Sequence, residues 1–166
     1  MTMSSDVNKV FVYQYFKRWW RRARQQRKGL QLILARALLD HRHLAEHYDP
    51  SSVKRLAVFR WEDKLGDCIM ATRFVDAVSR ARPDIEIVFI TGKQGASLLS
   101  NWSAISEIVI CGRRGWKTAW SLRRVRGSFD VVIELTSGMS AYELFALKVL
   151  KSRHYLGYKK QGYQLF

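Results

Sequence analysis

The sequence predicts an α/β protein: a doubly wound parallel sheet preceded by a basic amphipathic helix. Two observations carry the sheet. Short apolar runs recur from about residue 55 onward, and stretches of helical spacing separate them. That alternation means parallel pairing through right-handed crossovers, with helices on both faces. A third observation carries the helix. Seven basic residues crowd the twelve positions 17–28, around a line of apolar ones.

Taken in order, residues 1–8 show no pattern and read as frayed. From Val10 to about Leu39 the chain reads as helix, with Val12, Phe16, Trp19, Ala23, Leu30, Leu34 and Ala37 at near-heptad steps and Gly29 placed to break it in two. Lys17, Arg18, Arg21, Arg22, Arg24, Arg27 and Lys28 surround that line. A basic helix with Trp and Phe on its apolar side can lie in a membrane interface, which makes Phe16, Lys17, Arg18, Trp19, Arg21 and Arg22 candidate membrane contacts. The alternatives are packing on its own domain with the charges solvated, and nucleic-acid binding. Residues 40–54 read as linker, dividing the chain into an arm (1–50) and a domain (51–166). His41, His43 and His47 lie there without a cysteine or a well-placed carboxylate pair to complete a ligand set. They are expected to be solvated, and no metal is expected.

The organising stretch is Arg55–Pro83. Leu56-Ala57-Val58-Phe59 is an apolar run of the kind a buried strand shows. A polar turn follows, Glu62 to Asp67, and then a helix with Ile69, Ala71/Thr72, Val75 and Val78 on one face and Pro83 at its stop. Asp67 falls at or beside the helix N-cap, at the carboxyl end of the strand, where ligands collect in open α/β sheets. The plainer role for it is that of an N-cap. Gly66 allows a ligand close to the backbone, or supplies a positive φ. The remaining strands are expected at 85–91, 107–111, 129–135 and 153–157, and the remaining helices at 93–99, 116–125 and 140–150. The first strand is expected to be central.

A length of 166 residues allows one domain with a real core. The net charge of +15 is uneven: residues 1–60 hold 13 basic and 4 acidic side chains. That asymmetry points to an anionic partner for the N-terminal part: a membrane surface, a nucleic acid or a phosphorylated substrate. Cys68 and Cys111 form no CxxC pair and read as buried thiols of a cytosolic protein. There is no apolar run of spanning length and no signal-peptide pattern. The EDKLGD turn has one glycine and TGKQGAS lacks the P-loop frame, so neither nucleotide-binding signature is present.

Four stretches in order resemble the N-terminal domain of glycosyltransferase family 9, the ADP-heptose:lipopolysaccharide heptosyltransferases. They are RLAVFRWEDKLGDCIMATRFVDAVSRARPDIEIVFIT, GASLLSNWSAISEIVIC, LRRVRGSFDVVIELTSGMSA and SRHYLGY, within residues 55–158. The resemblance implies a Rossmann-like acceptor domain, the N-terminal half of a GT-B fold, with the donor domain absent from these residues and the chain ending where more would be expected. It implies transfer of heptose or a related sugar from a nucleotide-sugar such as ADP-heptose, without a metal, to lipopolysaccharide core or a related glycolipid. The place of action would be the cytoplasmic face of the inner membrane. The family's general base, the Asp of its Gly-Asp turn, maps onto Asp67. Arg60 matches a basic residue near acceptor phosphate or carboxylate, and Gly66, Ser137 and Ser140 complete the candidate acceptor contacts. Here the first turn is longer and more charged than is usual, and the turn at 136–140 lacks the basic residue expected for acceptor contacts. The alternative is a non-catalytic module binding anionic glycolipid or membrane.

Overall fold

The computed structural model describes residues 4–41, 48–61, 64–112 and 115–166, the side chains of residues 4–16 and 115–116 excepted. Five strands form one sheet: β1 (Arg55–Arg60), β2 (Glu86–Thr91), β3 (Glu107–Ile110), β4 (Val131–Glu134) and β5 (His154–Gly157). Their order is β3-β2-β1-β4-β5 and every pairing is parallel. The helices are α1 (Ser4–Leu39), α2 (Leu65–Ala81), α3 (Lys93–Leu99), α4 (Gly115–Arg123) and α5 (Ala141–Leu150). This is a Rossmann-like doubly wound sheet, and β1 is central.

β1 alternates between two cores, which is why it reads as a continuous apolar run. Leu56 and Val58 join Cys68, Ala71 and Val75 of α2 and Leu99 of α3 on one face. Ala57 and Phe59 join Leu122 of α4 and Leu144 and Leu147 of α5 on the other. Both cysteines are buried and free. The winding reverses between β1 and β4, so the crevice expected of such sheets lies at their carboxyl ends.

Several elements differ from the sequence expectation. β4 begins at Val131, because Asp130 turns its carboxylate to accept the N–H groups of Lys54 (3.0 Å) and Arg55 (2.9 Å). The expected linker contains a short 3-10 turn, Pro50–Ser52, capped by Asp49. Arg82 holds it, donating to the carbonyls of Pro50, Ser51 and Val53. His41 is exposed, while His43 and His47 lie outside the described residues.

α1 is already helical at Ser4 and runs unbroken through Gly29; one glycine costs a helix only about 1 kcal/mol. Its last turn packs on the α5 side of the sheet through Ala35 and Leu39. Arg36 donates to the Gly162 carbonyl and lies 4.6 Å over the Tyr163 ring. Asp40, buried, accepts the N–H groups of Gln164 (2.7 Å) and Leu165 (2.9 Å). The apolar line does not pack on the domain: Trp19, Leu30 and Leu34 are exposed, together with Trp20, Ile33 and Leu38. At 100° per residue that line lies well over 90° around the helix from Ala35 and Leu39.

Asp130 also gives a pH prediction. Its partial burial raises the carboxyl's pKa, but the two N–H donors and nearby Arg153 lower it further, so the net shift is downward. A folded-state pKa below the unfolded value of about 3.9 adds stability above that pH, lost as pH falls through the folded value. Urea midpoints measured from pH 5 downward are therefore expected to fall less steeply for Asp130→Asn than for the unaltered chain.

Candidate functional site

The crevice at the carboxyl ends of β1 and β4 is an open cleft of about 450 Å³. Arg60, Lys64 and Asp67 line one side; residues 135–140 and Glu143 line the other. The elements place these groups for local reasons. Arg60 is the last residue of β1, and its side chain is only 5% exposed. Its Nη2 meets Asp67 Oδ2 at 2.5 Å, while the Asp67 carboxylate stays 45% exposed. Arg60 Nε is buried and has no hydrogen-bond partner among the described residues.

Asp67 is not the N-cap. Lys64 holds that position without a side-chain cap bond, and Asp67 is the third residue of α2, in its first turn. The turn is therefore shorter than the sequence suggests, because Leu65 and Gly66 already belong to the helix. Asp67 has its carboxylate on Arg60 rather than on a backbone N–H, so capping does not account for it. Glu62 and Asp63 lie outside the described residues. Gly66 is exposed and does not have a left-handed φ, so that use of the glycine does not occur. A Cβ there would meet nothing within 4 Å, and the helix start is open to close approach.

On the opposite wall, Ser140 is the N-cap of α5 in a capping box. Its Oγ accepts the Glu143 N–H (3.2 Å) and Glu143 Oε2 accepts the Ser140 N–H (2.6 Å). The acceptor role of the Ser140 hydroxyl is thus taken, while Ser137 stands exposed on the rim. Four of the five sequence-predicted acceptor-site residues, Arg60, Asp67, Ser137 and Ser140, line one cleft; Gly66 lies beside it.

Sequence reasoning missed the support beneath this wall. A basic residue does reach the 136–140 turn, from residue 160, but as a buried support and not as an acceptor contact. Lys160 Nζ meets Glu134 Oε2 at 2.5 Å, both side chains 1% exposed, and donates to the Gly138 carbonyl. Glu134 Oε1 accepts the Thr136 N–H at 2.9 Å. Gly157 makes room, since a Cβ there would run into Lys160 Cγ and the Phe166 ring. The glycine of SRHYLGY was the available signal for this close approach.

The cleft thus sets a half-exposed carboxylate, a guanidinium, an ammonium and hydroxyls between the N-termini of two helices. Such a set suits a polyhydroxylated ligand carrying negative charge, with a carboxylate able to accept a hydroxyl proton. Among the described residues no group of three or more His, Cys, Asp or Glu side chains gathers as a metal site would require.

No protein-family model matches the chain, and no curated protein matches it by sequence. Among solved structures it is similar to the glycosyl transferase family 9 protein from Veillonella parvula DSM 2008. The TM-score is 0.51 and the identity 21%. The match covers 69% of this chain and 34% of that one, so these residues correspond to about a third of that protein. What the likeness shows is the fold: the sheet that places Arg60 and Asp67 at its switch point is built as in a family 9 glycosyltransferase.

Proposed function

We propose that this chain forms the acceptor-binding half of a glycosyltransferase. The reaction is transfer of heptose or a related sugar from a nucleotide-sugar to lipopolysaccharide core or a related surface glycolipid. One observation supports it above the others: the Asp67 carboxylate stands half-exposed over buried Arg60, in a cleft at the switch point of a family 9-like fold. Asp67 takes the acceptor hydroxyl's proton as the new glycosidic bond forms. Arg60 orients that carboxylate, and Lys64 with the rim of the cleft meets acceptor phosphate or carboxylate. The departing nucleoside diphosphate is stabilised by groups of a donor-binding domain outside these 166 residues.

The test is titration of the isotopically labelled chain with inner-core oligosaccharide, followed by amide NMR. Weak binding with shifts confined to residues 64–67 and 135–140 is expected, and shifts elsewhere alone would overturn the site. The chain by itself should transfer no sugar from ADP-heptose, because the reaction needs both walls of a two-domain cleft.

The membrane part of the reading is supported by α1. Its outward face exposes Trp19, Trp20, Leu30, Ile33, Leu34 and Leu38, and its basic residues attract an anionic leaflet. No described helix is long and apolar enough to cross a membrane, and the helix suits the interface of the inner membrane's cytoplasmic face. Residues 1–28 are the segment to remove, because Ala35, Leu39 and Asp40 belong to the packed domain. Each cation near the leaflet contributes on the order of 1 kcal/mol. Loss of the seven in 17–28 is thus expected to lower sedimentation with anionic vesicles more than roughly 100-fold. Equal sedimentation by the shortened chain would dismiss the arm as a membrane contact. The same exposed face favours the second reading, a non-catalytic module for anionic glycolipid or membrane. Vesicle binding without any oligosaccharide response at 64–67 would select it.

A further inference from the structure

α4 carries a surface that the cleft does not use. On one side of this helix Thr118 and Leu122 are fully buried. On the other, Trp120 is 72% exposed, flanked within about 60° by Lys117 and Arg123 at helical spacing, with Arg124, 3.6 Å from the Glu107 carboxylate, in the turn just after the helix. All three cations are exposed. The surrounding segment 113–126 has six basic residues and no acidic one. An indole held out in water among cations matches the headgroup layer of an anionic bilayer. There the ring finds its preferred depth and the cations find lipid phosphate.

The position of α4 adds to this. α4 and α1 both pack on α5, and both contribute to the core on that face of the sheet. Their outer faces therefore belong to the same side of the molecule. The α1 stripe of Leu30, Ile33 and Leu38 needs an apolar medium, which a bilayer has and a nucleic acid lacks.

We infer that the outer face of α4 is a second membrane contact, docking on an anionic lipid surface and, with α1, fixing the domain's orientation there. A single helix leaves the domain free to roll about that helix. Two contacts flanking α5 define a plane and hold the cleft at a set angle to the lipid. This builds on the membrane reading of α1, and the experiment separates the two.

The full chain is labelled with a polarity-sensitive dye at Trp120→Cys, at Leu34→Cys on α1, or at Arg80→Cys on the α2 side; Cys68 and Cys111 are buried. Vesicles are equal parts phosphatidylglycerol and phosphatidylcholine. Blue-shifted emission is expected at positions 120 and 34 and none at 80. Lys117→Gln with Arg123→Gln should lower partitioning about 25-fold, on the order of fivefold per cation. A label at 120 that stays in water while that at 34 enters lipid overturns the inference and leaves α1 standing. Entry at 120 but not at 34 supports α4 and removes α1. A label at 120 that responds to a DNA oligonucleotide but not to vesicles overturns the inference in favour of nucleic acid. If no label enters while circular dichroism shows folded chain, both membrane readings fail.

Discussion

In a chain joined to the donor-binding domain of a family 9 enzyme, Asp67→Asn is expected to lower sugar transfer about 10²–10⁴-fold, the usual worth of a general base. Folding should suffer far less. Asp67 is not a cap, so helix initiation is untouched. The loss is the ion pair with Arg60, whose aspartate side is half-exposed, and is expected to cost about 1 kcal/mol. Asp67→Ala should match Asp67→Asn in lost turnover but cost more stability, because the Asn amide oxygen still accepts from buried Arg60 and Ala strands that guanidinium; at a mere capping site Asn would keep full turnover. Turnover measured beside thermal melting separates the cases. Wild-type turnover in Asp67→Asn, with loss in Asp63→Asn, would move the base into the preceding turn.

Lys160→Met is expected to be the most destabilising single change in this region. It strands the Glu134 carboxylate at 1% exposure, and removing one partner of a buried pair costs about 3–5 kcal/mol. For a domain of this size that is a drop of roughly 10 °C in melting temperature. Adding Glu134→Gln should recover much of it, since the amide oxygen still accepts the Thr136 N–H. Because Lys160 also holds the Gly138 carbonyl, Lys160→Met should loosen the rim and weaken oligosaccharide binding even well below its melting temperature. A melt indistinguishable from wild type would mean that the pair contributes no net stability.

The sheet was legible in the sequence because strands buried on both faces leave continuous apolar runs, and β1 and β2 do so most plainly. The centrality of β1 followed from the glycine turn after it. The position of Asp67 was less legible: Leu65 and Gly66 are weak evidence for where a helix begins, and a three-residue difference turns an N-cap into an ion-pair partner. The amphipathic character of α1 was clear, but not which face packs. Ala35 and Leu39 form a small contact that the longer stripe of larger apolar residues obscures. The Glu134–Lys160 pair has no periodic signature. It joins the end of β4 to a residue beyond β5, and only the fold brings the two together.

The clamp on Asp40 bears on how the molecule is made. Its carboxylate accepts N–H groups 124 and 125 residues further along the chain. Closing so long a loop comes late in folding, after the local strand–helix units have formed. During synthesis α1 emerges well before its seat, which is α5 together with residues 160–165. Until that seat has formed, the Trp- and Leu-bearing helix is able to reach a lipid surface before the domain that follows it has finished folding.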